Sequence, residues 1–297
     1  MELSWLMKLR IAAAVATGVV LIGFWAWPLA APPEPLGAVS LFAGDVSFSN
    51  VIILAALAFL AGLLAYFLAW PYGREIGILA VPSGLAIWAV RCGNMAGLMR
   101  MNSTLPQREA LFAALKWEPV FWLVIVAAGF AGVLAGQKIR AKPELDKAKK
   151  KANSKSNIYL NTASALIASG LIAQFCIRIL AQDVKMGSLV AQPTVGQIVF
   201  AVFVSFGLAA FIVKKFLDAS YIWPTIASAL VTGFTIMTYV KQSALQRLAQ
   251  EWPVVFFPNA VISILPVQIV AFGTLGSITG YWLAVRYNYW RKHGQEG

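Results

Sequence analysis

Long apolar runs separated by short polar stretches dominate this chain. A run of about 20 apolar residues, coiled as a helix, matches a bilayer hydrocarbon core of roughly 30 Å. The pattern predicts about eight such spans: Ile11–Leu29, Val51–Trp70, Ile76–Val90, Pro119–Gly136, Ile158–Leu180, Gly196–Val213, Phe216–Val240 and Pro266–Val285. The third is short, and Pro82-Ser83-Gly84 interrupts its middle. Val254–Leu265 is too short to cross alone at about 1.5 Å per residue, so it reads as a shallow or re-entrant lead-in to the eighth span. The expected fold class is all-α, a polytopic transmembrane helix bundle. Ile11–Leu29 reads as a retained span. Its apolar run exceeds an ordinary signal-peptide core, and Pro-Leu-Ala followed by Ala-Pro-Pro is a poor cleavage site.

Composition points to the same solvent. Of 297 residues, 60% are hydrophobic and 12% charged, with a mean hydropathy of +0.73. Soluble domains carry about 45–50% apolar and roughly 25% charged residues. Two cysteines, Cys92 and Cys176, read as thiols packed like small hydrophobes. The single histidine, His293, lies four residues from the last one. Haem ligation, histidine-based zinc sites and His-dependent nucleophilic triads need imidazoles inside the fold. No cofactor, metal site or enzymatic activity is therefore expected. No Walker A loop or nucleophile elbow is present either.

The net charge of +12 gains meaning from its placement. Positive residues stay preferentially on the cytoplasmic side. With the N-terminus inside, sixteen Lys and Arg fall on the inner face and eight on the outer. Eight of the sixteen lie in Gln137–Asn157, a basic loop expected to attract anionic lipid headgroups, by about 1 kcal/mol per charge near the surface. Both termini are then cytoplasmic and the location is a cell membrane. The expected partners are the bilayer and other membrane proteins, with no nucleic acid. Trp25, Trp27, Trp70, Trp88, Trp117, Trp252 and Trp290 lie near span ends, where amphipathic rings anchor.

Residues 1–136 and 158–297 form candidate halves of four spans each. Shifting by 134 residues matches Ala110, Leu111, Pro119 and Val120 to Ala244, Leu245, Pro253 and Val254. The third span of each half also carries a proline followed by a hydroxyl residue, Pro82-Ser83 and Pro224-Thr225. Four spans per repeat would place the halves in parallel orientation.

Interrupted spans at matching positions of two halves point to a transporter site. The candidate substrate-binding residues are Pro82, Ser83, Gly84, Thr225, Ser228 and Thr232, a neutral polar set. Thr225, Ser228, Thr232, Thr235 and Tyr239 form a hydroxyl stripe at helical spacing. Such a stripe lines a hydrated path, joins helices, or bonds back to its own helix. Gln174 and Arg178 are spaced to meet at i, i+4. Gly132, Gly136, Gly276 and Gly280 allow close helix contact. Glu75, Glu118, Asp218 and Glu251 lie near interfaces, so no carboxylate sits mid-span; Glu118, with Glu109, Arg91, Arg100, Arg108 and Lys116, reads as a source of surface ion pairs. The leading function class is a non-catalytic membrane component or complex subunit. The alternative is a small-solute transporter or channel using the Pro-broken spans.

Overall fold

A computed structural model describes residues 4–32, 37–42, 46–102, 104–140, 155–182, 185–186, 189–239 and 257–293. Helices dominate these residues, joined by turns and loops and by one small hairpin. Helix α1 (Trp5–Gly18) runs into a π-helical stretch, Val19–Trp25. Then come α2 (Phe48–Leu68), α3 (Gly73–Ile76), a 3₁₀ turn at Gly77–Leu79, and α4 (Ala80–Arg91). Two short helices follow, α5 (Met95–Met101) and α6 (Leu105–Leu115), then α7 (Glu118–Arg140) and α8 (Lys155–Leu180). After the hairpin β1 (Lys185–Met186) and β2 (Leu189–Val190) come α9 (Val195–Leu217), α10 (Ile222–Tyr239) and α11 (Pro266–His293).

Among the described residues, seven segments are long and apolar enough to cross a membrane: Trp5–Trp25, Phe48–Leu68, Gly73–Arg91, Pro106–Arg140, Tyr159–Leu180, Val195–Leu217 and Pro266–Lys292. The seventh run, read as Phe216–Val240, is shorter than expected. Phe216 and Leu217 belong to the end of α9, which Asp218 stops in a left-handed conformation (φ 49°). The apolar helix that remains is Ile222–Met237.

Pro82-Ser83-Gly84 does not break the third span in its middle. All three lie within α4, with Pro82 in its first turn. A proline is tolerated there because first-turn N–H groups need no intrahelical partner. The irregularity lies one turn earlier, in the 3₁₀ turn Gly77–Leu79. Pro224 likewise sits in the first turn of α10.

Two glycine seams hold the bundle. In the first, α2 packs on α7: a Cβ on Gly132 would land on the Phe59 carbonyl, and one on Gly62 would land on the Gly129 carbonyl. In the second, α9 packs on α11: a Cβ on Gly276 would land on the Phe203 carbonyl, and one on Gly280 on the Gly207 carbonyl. Lipid tails are as apolar as leucine, so close backbone approach and dispersion replace the hydrophobic effect as the force between helices. The most buried of the long segments contain α4 and α11, which pack on each other at the centre.

The span-end tryptophans divide into exposed and buried rings. Trp25, Trp70, Trp117 and Trp290 are exposed to the surroundings, as interfacial rings should be. Trp88 is fully buried instead, edge-on to Trp27 (5.8 Å) and Trp122 (6.0 Å), with its indole N–H donated to the Gly23 carbonyl at 3.1 Å. A span-end position does not by itself say which way a ring faces; here Trp88 faces the neighbouring helices. Trp252 lies outside the described residues.

Candidate functional site

Polar chemistry concentrates at the end of the bundle where α4 and α8 finish and α7 and α11 begin. It centres on a group expected to be a surface one. Glu118, the first residue of α7, is fully buried. Its Oε2 accepts from the Ser40 hydroxyl at 2.8 Å, and its Oε1 accepts from the Leu41 backbone N–H and the Trp122 indole N–H, both at 3.0 Å. The reading of Glu118 as a partner in surface ion pairs is thereby corrected. A loop segment, 37–41, is itself buried against the helices. Its backbone donors have lost water, and a carboxylate with two acceptor oxygens replaces it. The Gly37 carbonyl accepts from Gly93 N–H at 3.0 Å. Nearby, burial pushes the Cys92 thiol up to about 12, which keeps it protonated and unreactive.

The lead-in segment obeys the same rule. Phe257 pairs with Val190 as an isolated antiparallel bridge. Ala260–Leu265 is buried within the protein and turn-rich, and 254–256 lie outside the described residues. Irregular backbone at membrane depth must be satisfied by protein. Asn259 Oδ1 accepts from the N–H groups of Val261 and Ile262 (3.0 and 3.2 Å). Gln268, fully buried, accepts from Leu265 N–H and donates to the Ala89 carbonyl, both at 3.0 Å, and so ties α11 to α4. Gln192 donates to the carbonyls of Pro193 and Ser263 and accepts from Ala96 N–H.

The residues expected to bind a solute fall in two places. Gly84 faces α1, where a Cβ would meet the Gly18 carbonyl and the Ile22 side chain. Pro82 and Ser83 are buried in the same turn. Thr225, Ser228 and Thr232 lie on α10, and Ser228 packs beside Gly273 of α11. Both α4 and α10 pack on α11, which brings Ile269, Val270 and Phe272 into the core. The hydroxyls bond within their own helix: Thr225 to the Tyr221 carbonyl (3.0 Å), Ser228 to Thr225 (2.7 Å), Thr232 to Ser228 (3.0 Å) and Thr235 to Val231 (2.6 Å). Thr274 and Ser277 of α11 do the same. The Tyr239 side chain lies outside the described residues.

One cavity, of about 530 Å³, opens between α8 and α10. Leu166, Ile167, Gly170 and Leu171 line it from α8, and Ala227, Leu230, Val231 and Phe234 from α10. Gln174, Arg178, Thr235 and Asn259 supply its polar groups. Sequence spacing had paired Gln174 with Arg178; only the helix packing shows what they border.

No protein-family model, curated protein or solved structure matches the chain. Among the described residues, no group of three or more His, Cys, Asp or Glu is placed to hold a metal.

Proposed function

We propose that this chain is a non-catalytic multi-pass membrane component, a scaffold or complex subunit, built from two parallel four-span halves. What carries the reading is the use made of buried and half-buried polarity: Glu118, Gln192, Asn259 and Gln268 bond to the backbone of loops and helix ends, and the hydroxyls of α10 and α11 bond to their own helices. These groups are spent on holding the bundle together, with α11 packed between the two places expected to share a solute site.

The duplication rests on packing as well as sequence. Ile125-Val126-Ala127, Gly129, Gly132 and Gly136 recur 144 residues later as Ile269-Val270-Ala271, Gly273, Gly276 and Gly280. The same shift takes Phe59 to Phe203, whose carbonyls face Gly132 and Gly276 respectively. Packing runs in parallel too: α1 on α2 and α4 is matched by α8 on α9 and α10. The shift of 134 residues before the fourth and eighth spans falls between these 144-residue matches, so in this register the second half is ten residues shorter between Phe203 and Ala244 and ten longer between Val254 and Ile269. The stretch 242–256 used for that match lies outside the described residues.

In this reading α10 crosses as the seventh of eight spans, both termini and Gln137–Asn157 face the cytoplasm, and the basic loop meets anionic headgroups. Cations lie over rings at both ends of the bundle, Arg140 over Trp70 (4.2 Å), Lys215 over Tyr287 (4.7 Å) and Arg286 over Trp290 (4.5 Å) at one and Arg91 over Trp27 (4.6 Å) at the other, so they fit two headgroup zones and leave the orientation to the charge count. Such pairs suit a headgroup zone. Reporter fusions should score Ser154 as inside and Ala43 as outside; an outside signal at Ser154 reverses the orientation.

The carrier alternative, with Pro82, Ser83, Gly84, Thr225, Ser228 and Thr232 around a neutral solute, makes the opposite forecast for flux. Proteoliposomes should pass glycerol, urea and water no faster than empty vesicles, and Thr232→Val should leave both leak and melting nearly unchanged. Flux that scales with protein and is lost in Thr232→Val would establish the carrier and overturn the scaffold reading.

A further inference from the structure

The two halves treat one seam differently, and the difference makes a site. In the first half α1 lies against α4 so closely that a Cβ on Gly18 would land on the Ala80 carbonyl, and one on Gly84 on the Gly18 carbonyl. The counterpart seam, α8 against α10, stands open. Gly170 meets only Val231, at 3.6 Å, and the 530 Å³ cavity lies there. Small residues at the contact, Gly18, Ala80 and Gly84, let α1 and α4 close, whereas the α10 wall of the groove is made by Ala227, Leu230, Val231 and Phe234.

We propose that this groove binds an anionic phospholipid, with an acyl chain between α8 and α10 and the phosphate at Arg178 and Gln174. The walls are apolar, as an acyl chain requires, while polar groups gather toward the α8 C-terminus. Among the described residues, no hydrogen bond or ion pair engages the Arg178 guanidinium or the Gln174 amide. They lie at i and i+4, so both reach one ligand. Guanidinium recognises phosphate through a planar fork of donors. From Leu166 to Arg178 the groove runs about 18 Å along the helix, enough for most of one acyl chain. Its volume lies in the range of small-molecule sites, roughly 300–1,000 Å³. The inference uses the duplicated bundle but not the scaffold role, and it leaves the basic loop out.

Native mass spectrometry of the full chain in neutral detergent tests this, with phosphatidylglycerol and phosphatidylcholine as probes. Wild type should retain one phosphatidylglycerol at least five-fold more than phosphatidylcholine. Arg178→Gln, at an exposed position, should abolish that preference without lowering Tm, and Arg178→Lys should keep part of it. Gly170→Leu or Ile167→Trp should reduce retention of both lipids by filling the groove; two variants guard against one misfolding. Retention unchanged in Arg178→Gln and in both filling variants would overturn the proposal. So would complete displacement by excess inorganic phosphate, which would make Arg178 a plain anion site in which the chain plays no part. Solute flux in the vesicles described above bears on the scaffold reading alone, so the two can fail separately.

Discussion

Gly276→Leu should leave little extractable folded protein, and Gly132→Leu should do the same. At both positions even a Cβ would land on a backbone carbonyl of the facing helix, Phe203 for one and Phe59 for the other. A side-chain neighbour could rotate away, but a helix backbone moves only if the whole seam opens. Inserting bulk into a well-packed interior costs about 1–3 kcal/mol even where side chains can adjust. Here the α9–α11 or α2–α7 contact itself must be given up, so the loss should reach several kcal/mol. Near-wild-type melting in detergent for both variants would show that these helices do not depend on close approach. Gly196 is the control. A Cβ there meets nothing within 4 Å, and it lies in the first turn of α9, so Gly196→Ala should be neutral or slightly stabilising.

Glu118→Ala should produce the next largest loss. It removes the acceptor for three donors at once, the Ser40 hydroxyl, the Leu41 N–H and the Trp122 indole N–H. A buried donor left without a partner costs about 1–3 kcal/mol, and three sharing one carboxylate will not add simply. A net loss of about 3 kcal/mol corresponds to a fall on the order of 10 °C in Tm. Glu118→Gln keeps one acceptor oxygen and the side-chain shape, so it should cost roughly half as much. A local readout separates this clamp from general destabilisation. Cysteine at Ser40 should be slow to alkylate when Glu118 is present and fast in the Glu118→Ala background, well below the melting temperature. Equal slow labelling in both backgrounds would mean that the loop is held by its apolar neighbours Val39 and Leu41, which are also buried, and not by the carboxylate.

The linear chain specified the helices because lipid leaves few options. A backbone without water must satisfy its own N–H and C=O groups, so each long apolar run becomes a helix whatever its neighbours do. The repeated glycines Gly132, Gly136, Gly276 and Gly280 announced close contact for the same local reason: a missing side chain serves only where something approaches. The hydroxyl stripe of α10 was visible as spacing, but spacing could not choose between water, a neighbouring helix and its own carbonyls. Three features needed the tertiary structure. Glu118 looked interfacial because its place in the chain is a span end; its burial depends on a loop 77 and 78 residues away folding back over it. Pro82 looked like a break because a proline opposes the helix interior, yet its cost vanishes in a first turn, and where that turn begins was decided by the preceding Gly77–Leu79. The groove beside Gly170 depends on the distance between α8 and α10. That distance is set by which side chains meet across the seam, a pairwise property that hydropathy along one strand of sequence does not contain.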